Sequence, residues 1–219
     1  ASGVATANLP IQPVAPPYFT RADWGVDQTL EDGQCPSPSD TVKVIFVHHT
    51  AGTNGYAESD VPAVLRGVHA YHTANGWCDI AYNALIDRFG RIWEGRAGGM
   101  ENPVRSGATG GFNTDSWAIS LIGNYSTTAL PTTAYTALRD LTAWKLLANR
   151  RNPQGTAVLT QAEGGAALGA LWTDGQPVTF NVISGHRDAK STECPGNLAY
   201  PLLATLRRDV DQRMSANPR

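Results

Sequence analysis

The chain has 219 residues and a formal net charge of −2, with 42% hydrophobic and 16% charged residues. This length suits one full-sized domain or two very small ones, and the apolar content is enough to form a buried core. The slightly acidic balance argues against a nucleic-acid-binding protein, which is usually strongly basic, and no apolar run approaches the about 18 residues that a membrane span requires.

The N-terminal half of the chain predicts an extended arm followed by strands and one helix. Residues 1–20 are rich in alanine and proline, and proline fixes φ and lacks an N–H, so we expect an extended arm there and a single domain over 21–219. Residues 41–50 form a β-branched, nearly continuous apolar run that predicts a central strand. Residues 59–74 have apolar positions at helical spacing with Pro62 in the first turn, which predicts a helix.

The C-terminal half continues the alternation of strands and helices. Residues 80–96 predict two short strands around a turn at 88–90, and 116–125 predict another buried strand. Helices are expected over 131–150 and 199–214, a strand over 177–186, and a hairpin or loop over the glycine-rich stretch 152–177. The alternation predicts an α/β fold with a central mixed β-sheet flanked by helices.

The stretch ISGHRDAKSTECPG, residues 183–196, places a histidine and a cysteine eight positions apart. A catalytic zinc site uses nitrogen and sulfur ligands, three from the protein, and leaves one position open. His186 and Cys194 would supply two, and a histidine at the end of the strand 41–50 would supply the third. His48 and His49 point to opposite faces of that strand, and periodicity leaves open which one shares the site. The alternative is that these residues are hydrogen-bonded or buried core residues.

The three cysteines, Cys35, Cys78 and Cys194, are an odd number. One disulfide with one functional thiolate is a simple division, and three free buried thiols are the alternative. The count alone does not decide between them.

Four segments carry a family resemblance, and they lie at residues 47–56, 71–96, 110–125 and 183–196. In this order and spacing the chain resembles the peptidoglycan recognition protein family, which shares its fold with the phage-lysozyme type of N-acetylmuramoyl-L-alanine amidase. The resemblance runs from about Arg21 to the last helix and is strongest to bacterial, actinobacterial-type members. It implies that fold for residues 21–219.

The resemblance also implies a set of site residues. His48, His186 and Cys194 match the family's zinc ligands, and members that only bind peptidoglycan typically lack the cysteine. Tyr82 and Thr192 match catalytic positions, where they would stabilise the oxyanion formed when zinc-activated water attacks the amide between N-acetylmuramic acid and L-alanine.

Residues in the matching motifs are also candidates for contacts to the muramyl ring and the stem peptide of peptidoglycan. These candidates are Trp77, Trp93, Arg96, Phe112 and Asn113. For each of them, a role in the core is the competing interpretation. Two departures stand out: Ala108 replaces a histidine that family members often have, and Ala81 stands where glycine is usual. Some amidases of this fold have a glutamate where this chain has Ser120, so the general acid or base is unassigned.

With Cys194 assigned to zinc, the resemblance implies a disulfide between Cys35 and Cys78, and hence a secreted or extracytoplasmic protein. We expect it to be a monomer. A binding module of the same fold that does not cleave peptidoglycan is the main alternative, and a zinc peptidase acting on the stem peptide is another.

Overall fold

A computed structural model describes residues 13–162, 164, 165, 167, 169 and 171–216. Its main sheet has five strands in the order β3-β2-β4-β1-β7, and a separate hairpin pairs β5 with β6. The strands are β1 Val44–His49, β2 Ala84–Ile86, β3 Ile92–Glu94, β4 Ser116–Leu121, β5 Thr156–Thr160, β6 Pro177–Asn181 and β7 Ile183–Gly185.

The sheet is mixed because β3 runs antiparallel to β2, whereas β2, β4, β1 and β7 are parallel to one another. All six residues of β1 and all six of β4 are buried, as their continuous apolar sequences predicted. The four described α-helices are α1 Arg21–Trp24, α2 Val61–Ala74, α3 Thr132–Ala148 and α4 Leu202–Ser215. The predicted class, a mixed sheet flanked by helices, is confirmed.

Different elements pack on the two faces of the sheet. Ile45 and Val47 of β1 point to the face where α3 and α4 pack, in the largest hydrophobic cluster. Phe46 and His48 point to the opposite face, which we call the site face. Helix α2 covers the site face near β2, where Leu65 packs on Leu85 in a second cluster. The β5–β6 hairpin covers its other end through a third cluster around Phe46. The space between these two covers holds the candidate site.

The single strand predicted over 177–186 is wrong, because the chain divides there into β6 and β7, which belong to different sheets. In β6 buried and exposed residues alternate, as expected for a hairpin that has one face in water. In β7 all three residues are buried, since it pairs with β1 as an edge of the main sheet. The stretch 152–177 contributes β5, so it contains half of a hairpin.

Residues 1–12 of the predicted arm lie outside the described residues. The rest of the arm is extended and lies against the domain: the Phe19 N–H donates to the Ile92 carbonyl at 2.8 Å, and the Glu94 N–H donates to the Phe19 carbonyl at 2.8 Å. The ring of Phe19 also stacks on Trp93, with centroids 4.4 Å apart. The predicted disulfide between Cys35 and Cys78 is confirmed.

Candidate metal and active site

The site begins at the C-terminal end of β1, where the chain changes from apolar residues to two histidines. His48 lies beside Ser120 of β4 in the parallel register and points to the site face. His49 points the other way, and its Nδ1 accepts a hydrogen bond from the Tyr125 N–H at 3.2 Å. The sheet geometry thus assigns His48 to the site and gives His49 a structural contact.

The other two donors come from the segment that follows β7, which is the strand next to β1. His186 starts a 3-10 turn directly after β7, and its ring centroid lies 4.5 Å from that of His48. Cys194 returns to the same place, where its Sγ accepts a hydrogen bond from the His49 N–H at 3.3 Å. The Arg187 N–H donates to the Cys194 carbonyl at 3.0 Å and so closes the loop between the two candidate ligands. One donor atom from each of the three predicted ligands lies within 4.8 Å of the others.

The donor set fits a zinc ion. The His48 Nδ1 and the Cys194 Sγ are 3.7 Å apart. Tetrahedral zinc with Zn–N of about 2.0–2.1 Å and Zn–S of about 2.3 Å separates such atoms by about 3.6 Å. The His186 Nε2 is buried and has no hydrogen-bond partner among the described residues. A buried polar atom without a partner is costly, and a bound cation would satisfy it.

The pKa values of the three side chains also fit a bound metal ion. Burial holds the pKa of His48 well below its usual value and lowers the pKa of His186 to about 4, so both rings are neutral and can offer a lone pair. Burial raises the pKa of the Cys194 thiol to about 12. A thiolate is therefore costly here by itself, and a bound cation would be its natural partner.

Tyr82 stands beside the ligand set, with its ring 5.4 Å from that of His48 and 5.5 Å from that of His72. Its backbone is held by the segment that follows β3: the Arg96 N–H donates to the Tyr82 carbonyl at 2.8 Å. A Cβ on Gly95 would come within 2.3 Å of that carbonyl oxygen, so only glycine fits there. Desolvation, and then the nearby Cys194, raise the pKa of Tyr82, which keeps its hydroxyl protonated and able to donate.

Thr192 lies in the loop before Cys194, and its Oγ1 accepts a hydrogen bond from the Cys194 N–H at 3.2 Å. The threonine hydroxyl proton remains free to donate to another group. The next residue, Glu193, has an exposed side chain that is 3.5 Å from the side-chain amide of Asn197. Thr192 is thus fixed by the backbone of Cys194, a candidate metal ligand, whereas Glu193 points into solvent.

The five predicted substrate contacts divide by exposure. Trp77 is 45% exposed, and its ring lies 4.6 Å from that of His72, at the outer end of an aromatic row that continues through Tyr82 to His48. Trp93 and Phe112 are only 2% and 1% exposed.

Trp93 donates from its Nε1 to Asp87 at 3.0 Å, and Phe112 packs edge-on against Phe180 and Trp172. Both side chains belong to the core and offer no surface to a polymer, which corrects the prediction for them.

Arg96 and Asn113 also make internal contacts. The Arg96 Nη2 donates to the sulfurs of Cys35 and Cys78, at 2.7 and 3.0 Å, and its Nη1 donates to the Ile80 carbonyl. The side-chain oxygen of Asn113 accepts from the Thr109 N–H at 2.8 Å. These contacts give Arg96 a role at the disulfide and Asn113 a role in its own loop, and contacts of either residue with substrate stay a prediction.

Sequence reasoning missed Thr109, a buried residue whose hydroxyl lies 3.2 Å from the His48 Nε2. The signal in the sequence was its position directly after Ala108, where family members often have histidine.

It also missed a buried cluster of Glu31, His69 and Asp79, whose donor atoms lie close enough for a metal. The guanidinium of Arg21 already lies between the two carboxylates, 3.1 Å from Asp79 and paired with Glu31, so a cation occupies that place.

Comparison with known proteins identifies the family of the chain. A family model described as N-acetylmuramoyl-L-alanine amidase matches residues 38–197, well over half of the chain. The chain belongs to the N-acetylmuramoyl-L-alanine amidase family. It is 32% identical to Peptidoglycan-recognition protein SC2 of Drosophila melanogaster over 179 residues, which cover 81% of this chain and 79% of that protein.

A mammalian relative and a solved structure were also found. Peptidoglycan recognition protein 1 of Bos taurus is 29% identical over 185 residues, covering 84% of this chain and 80% of that protein. The crystal structure of human PGRP-IβC, solved with a glycosamyl muramyl pentapeptide, superposes with a TM-score of 0.65 at 22% identity, covering 87% of this chain and 96% of that one, and it confirms the fold. These family relatives are insect and mammalian, so they give no support to the expected actinobacterial-type subgroup.

Among the residues that the structure describes, this protein has no helix that is long and apolar enough to cross a membrane.

Proposed function

We propose that this protein is a zinc-dependent amidase that cleaves the amide bond between N-acetylmuramic acid and L-alanine in peptidoglycan. The observation that carries the proposal is the convergence of His48, His186 and Cys194 on one point at the end of β1. Membership of the N-acetylmuramoyl-L-alanine amidase family supports it. A protein that only binds the polymer has no need for a buried cysteine between two neutral imidazoles.

Zinc bound by these residues would supply Lewis-acid chemistry, polarising the scissile carbonyl and making water nucleophilic near neutral pH. The remaining chemistry belongs to the side chains around it. The protonated hydroxyl of Tyr82 can donate to the oxygen that becomes negative when the carbonyl is attacked. The Thr192 hydroxyl, whose oxygen already accepts from the Cys194 N–H, has its proton available for the same purpose.

Trp77 is our candidate for a substrate contact outside the reacting bond. Its exposed ring is held against His72 and leads by the aromatic row to Tyr82 and His48. Aromatic rings pack well on the apolar faces of sugars, so Trp77 is suited to carry a muramyl ring next to the metal site.

We also propose that the protein acts outside the cytoplasm, where a disulfide persists and where the polymer is found, and that it acts as a monomer. Its partner would be peptidoglycan, not nucleic acid.

The test is digestion of purified peptidoglycan, with the products identified by mass. The protein is assayed as purified, after chelation, and after zinc is restored. We expect zinc-dependent release of stem peptides that begin with L-alanine. Cys194→Ala should abolish release, and Glu193→Gln, which changes the exposed neighbour, should not.

Two other results of this digestion would contradict the proposed amidase activity. Peptides with a new amino end inside the stem would indicate a peptidase and overturn the amidase assignment. Binding of the polymer without any release, by folded and zinc-loaded protein, would favour the binding module. Ala108, which stands where family members often have histidine, would then be the first residue to examine.

A further inference from the structure

The buried hydroxyl of Thr109 contacts one ring nitrogen of His48, and Cys194 faces the other. Its Oγ1 lies 3.2 Å from the His48 Nε2, within hydrogen-bonding distance. The other ring nitrogen, Nδ1, faces the Cys194 Sγ at 3.7 Å. Thr109 is fully buried and His48 nearly so, hence water cannot replace the hydroxyl as a partner.

We propose that Thr109 is a positioning residue that fixes the tautomer and the rotation of His48 for metal binding. This inference rests on the proposed zinc site. A neutral imidazole has one N–H and one lone pair, and the nitrogen that binds a metal must offer the lone pair. With Nδ1 facing Cys194, the proton belongs on Nε2, and the Thr109 oxygen is its acceptor. Metal-binding histidines commonly have such a partner on their second nitrogen.

The loop over 106–113 holds the threonine in place from both sides. The Asn113 side-chain oxygen accepts from the Thr109 N–H at 2.8 Å and from the Ser106 hydroxyl at 3.1 Å. The Phe112 N–H donates to the Thr109 carbonyl at 2.8 Å, closing a turn, and the Phe112 ring is anchored in the core. The contacts of Phe112 and Asn113 therefore act together to place the Thr109 hydroxyl.

The same loop joins the ligand to the segment that carries Tyr82. The Gly107 N–H donates to the Ala81 carbonyl at 2.8 Å, one residue before Tyr82. Two residues farther along the loop, Thr109 contacts His48. The loop thus sets the metal ligand and the proposed oxyanion donor relative to one another.

The experiment measures zinc affinity by competition with a chromophoric chelator, so it does not depend on activity. Thr109→Val keeps the shape of the side chain but removes the acceptor. We expect its zinc affinity to fall by about 10- to 100-fold, the usual loss when such a partner is removed. Thr109→Ser keeps the hydroxyl and should bind zinc like the wild type. Thr109→Ala removes the acceptor without strain and serves if the valine variant does not fold.

Thr142→Val is the matched control. Thr142 is a fully buried threonine on α3, and its hydroxyl has no partner among the described residues. Its substitution should leave zinc affinity unchanged. Cobalt in place of zinc provides a second readout, since a ligand ring held in another orientation changes the visible absorption spectrum.

Two results would overturn the inference. One is a zinc affinity of Thr109→Val or Thr109→Ala equal to that of the wild type. The other is a loss of zinc affinity in Thr109→Ser as large as that in Thr109→Val. A wild type that binds no zinc would overturn the metal site and this inference together. A wild type that binds zinc and loses affinity in Thr109→Val, yet releases no stem peptide, would contradict only the proposed amidase activity.

Discussion

At the scale of single residues, the candidate site depends on donors whose protonation is set by burial. A tyrosine hydroxyl is protonated near neutral pH, and removal from water raises the pKa of Tyr82 further, so its proton is held more firmly. A neutral hydroxyl in a partly dry site is a stronger donor than the same group in water, since competing water is excluded. Tyr82 is thus the residue whose loss should affect the reaction while leaving the metal ligands intact.

We expect Tyr82→Phe to lower kcat by about 10²- to 10³-fold, the loss typical when one oxyanion donor is removed. Zinc affinity should not change, because the phenol is not among the three donors. The measurement is the rate of stem-peptide release by zinc-loaded protein. Tyr71→Phe, at a 68% exposed position on α2, is the matched control and should match the wild type. A Tyr82→Phe enzyme as fast as the wild type would remove Tyr82 from the mechanism.

Sequence reasoning named the three candidate metal donors because residue type limits them: few side chains bind zinc. It left His48 and His49 undecided without the resemblance, since the choice depends on which face of β1 meets the loop after β7. It failed for Trp93 and Phe112 because an aromatic residue in a shared motif can serve the core or the ligand equally well. It missed Thr109 because contacts of a hydroxyl group depend on tertiary packing, and the position directly after Ala108 did not show that the hydroxyl meets His48.

At the scale of elements, α3 is tied to the loop at 100–102 by a buried lysine. The ammonium group of Lys145 donates to the carbonyls of Met100 at 2.7 Å and Asn102 at 2.8 Å, and it lies 4.6 Å from the ring centre of Trp117. A single side chain therefore satisfies backbone groups that no strand or helix reaches.

We expect Lys145→Met to lower the free energy of unfolding by about 1–3 kcal/mol, because the buried Met100 carbonyl would lose its donor. Urea unfolding followed by circular dichroism measures this loss. Lys43→Met is the control: Lys43 is a partly exposed residue paired with Asp115, and a surface ion pair contributes about 0–1 kcal/mol. Equal stability of the two variants would show that the carbonyls find water instead.

The disulfide fastens the loop before β1 to the segment that follows α2. It links positions 43 residues apart, so its removal should cost about 2–4 kcal/mol through the greater freedom of the unfolded chain. We expect the double variant Cys35→Ser, Cys78→Ser to unfold at lower urea than the oxidised wild type. Reductant should lower the wild-type midpoint and leave that of the double variant unchanged. A wild-type midpoint insensitive to reductant would contradict a stabilising role.

The elements themselves were largely predictable, because β1, β4, α2 and α3 have strong apolar patterns of the right period. The division between β6 and β7 was not. Residues 177–186 read as one β-rich run, and only the packing of Phe180 on the hairpin side and Ile183 on the sheet side separates the two strands. Assignment to different sheets is a tertiary property that local propensity does not contain.

At the scale of the whole molecule, the candidate zinc site joins parts of the chain that are far apart in sequence. His48 ends β1, while His186 and Cys194 lie about 140 residues later, in the segment between β7 and α4. Arg207 of α4 donates to the Ile183 carbonyl at 2.7 and 2.9 Å, so β7, the strand just before that segment, is also tied to the C-terminal helix. A metal bound here would link the central strand to the C-terminal part of the domain.

Zinc should therefore stabilise the fold as a whole. A ligand that binds only the native state, present at 100 times its Kd, adds about 2.7 kcal/mol to the free energy of unfolding. We expect the urea midpoint of the wild type to rise with zinc concentration and to fall on chelation, while Cys194→Ala stays insensitive to both. Glu193→Gln should follow the wild type. This stabilisation depends only on zinc binding to the native state, so the result does not depend on whether the protein cleaves peptidoglycan. Identical unfolding curves with zinc and with chelator would rule out tight binding at these three residues.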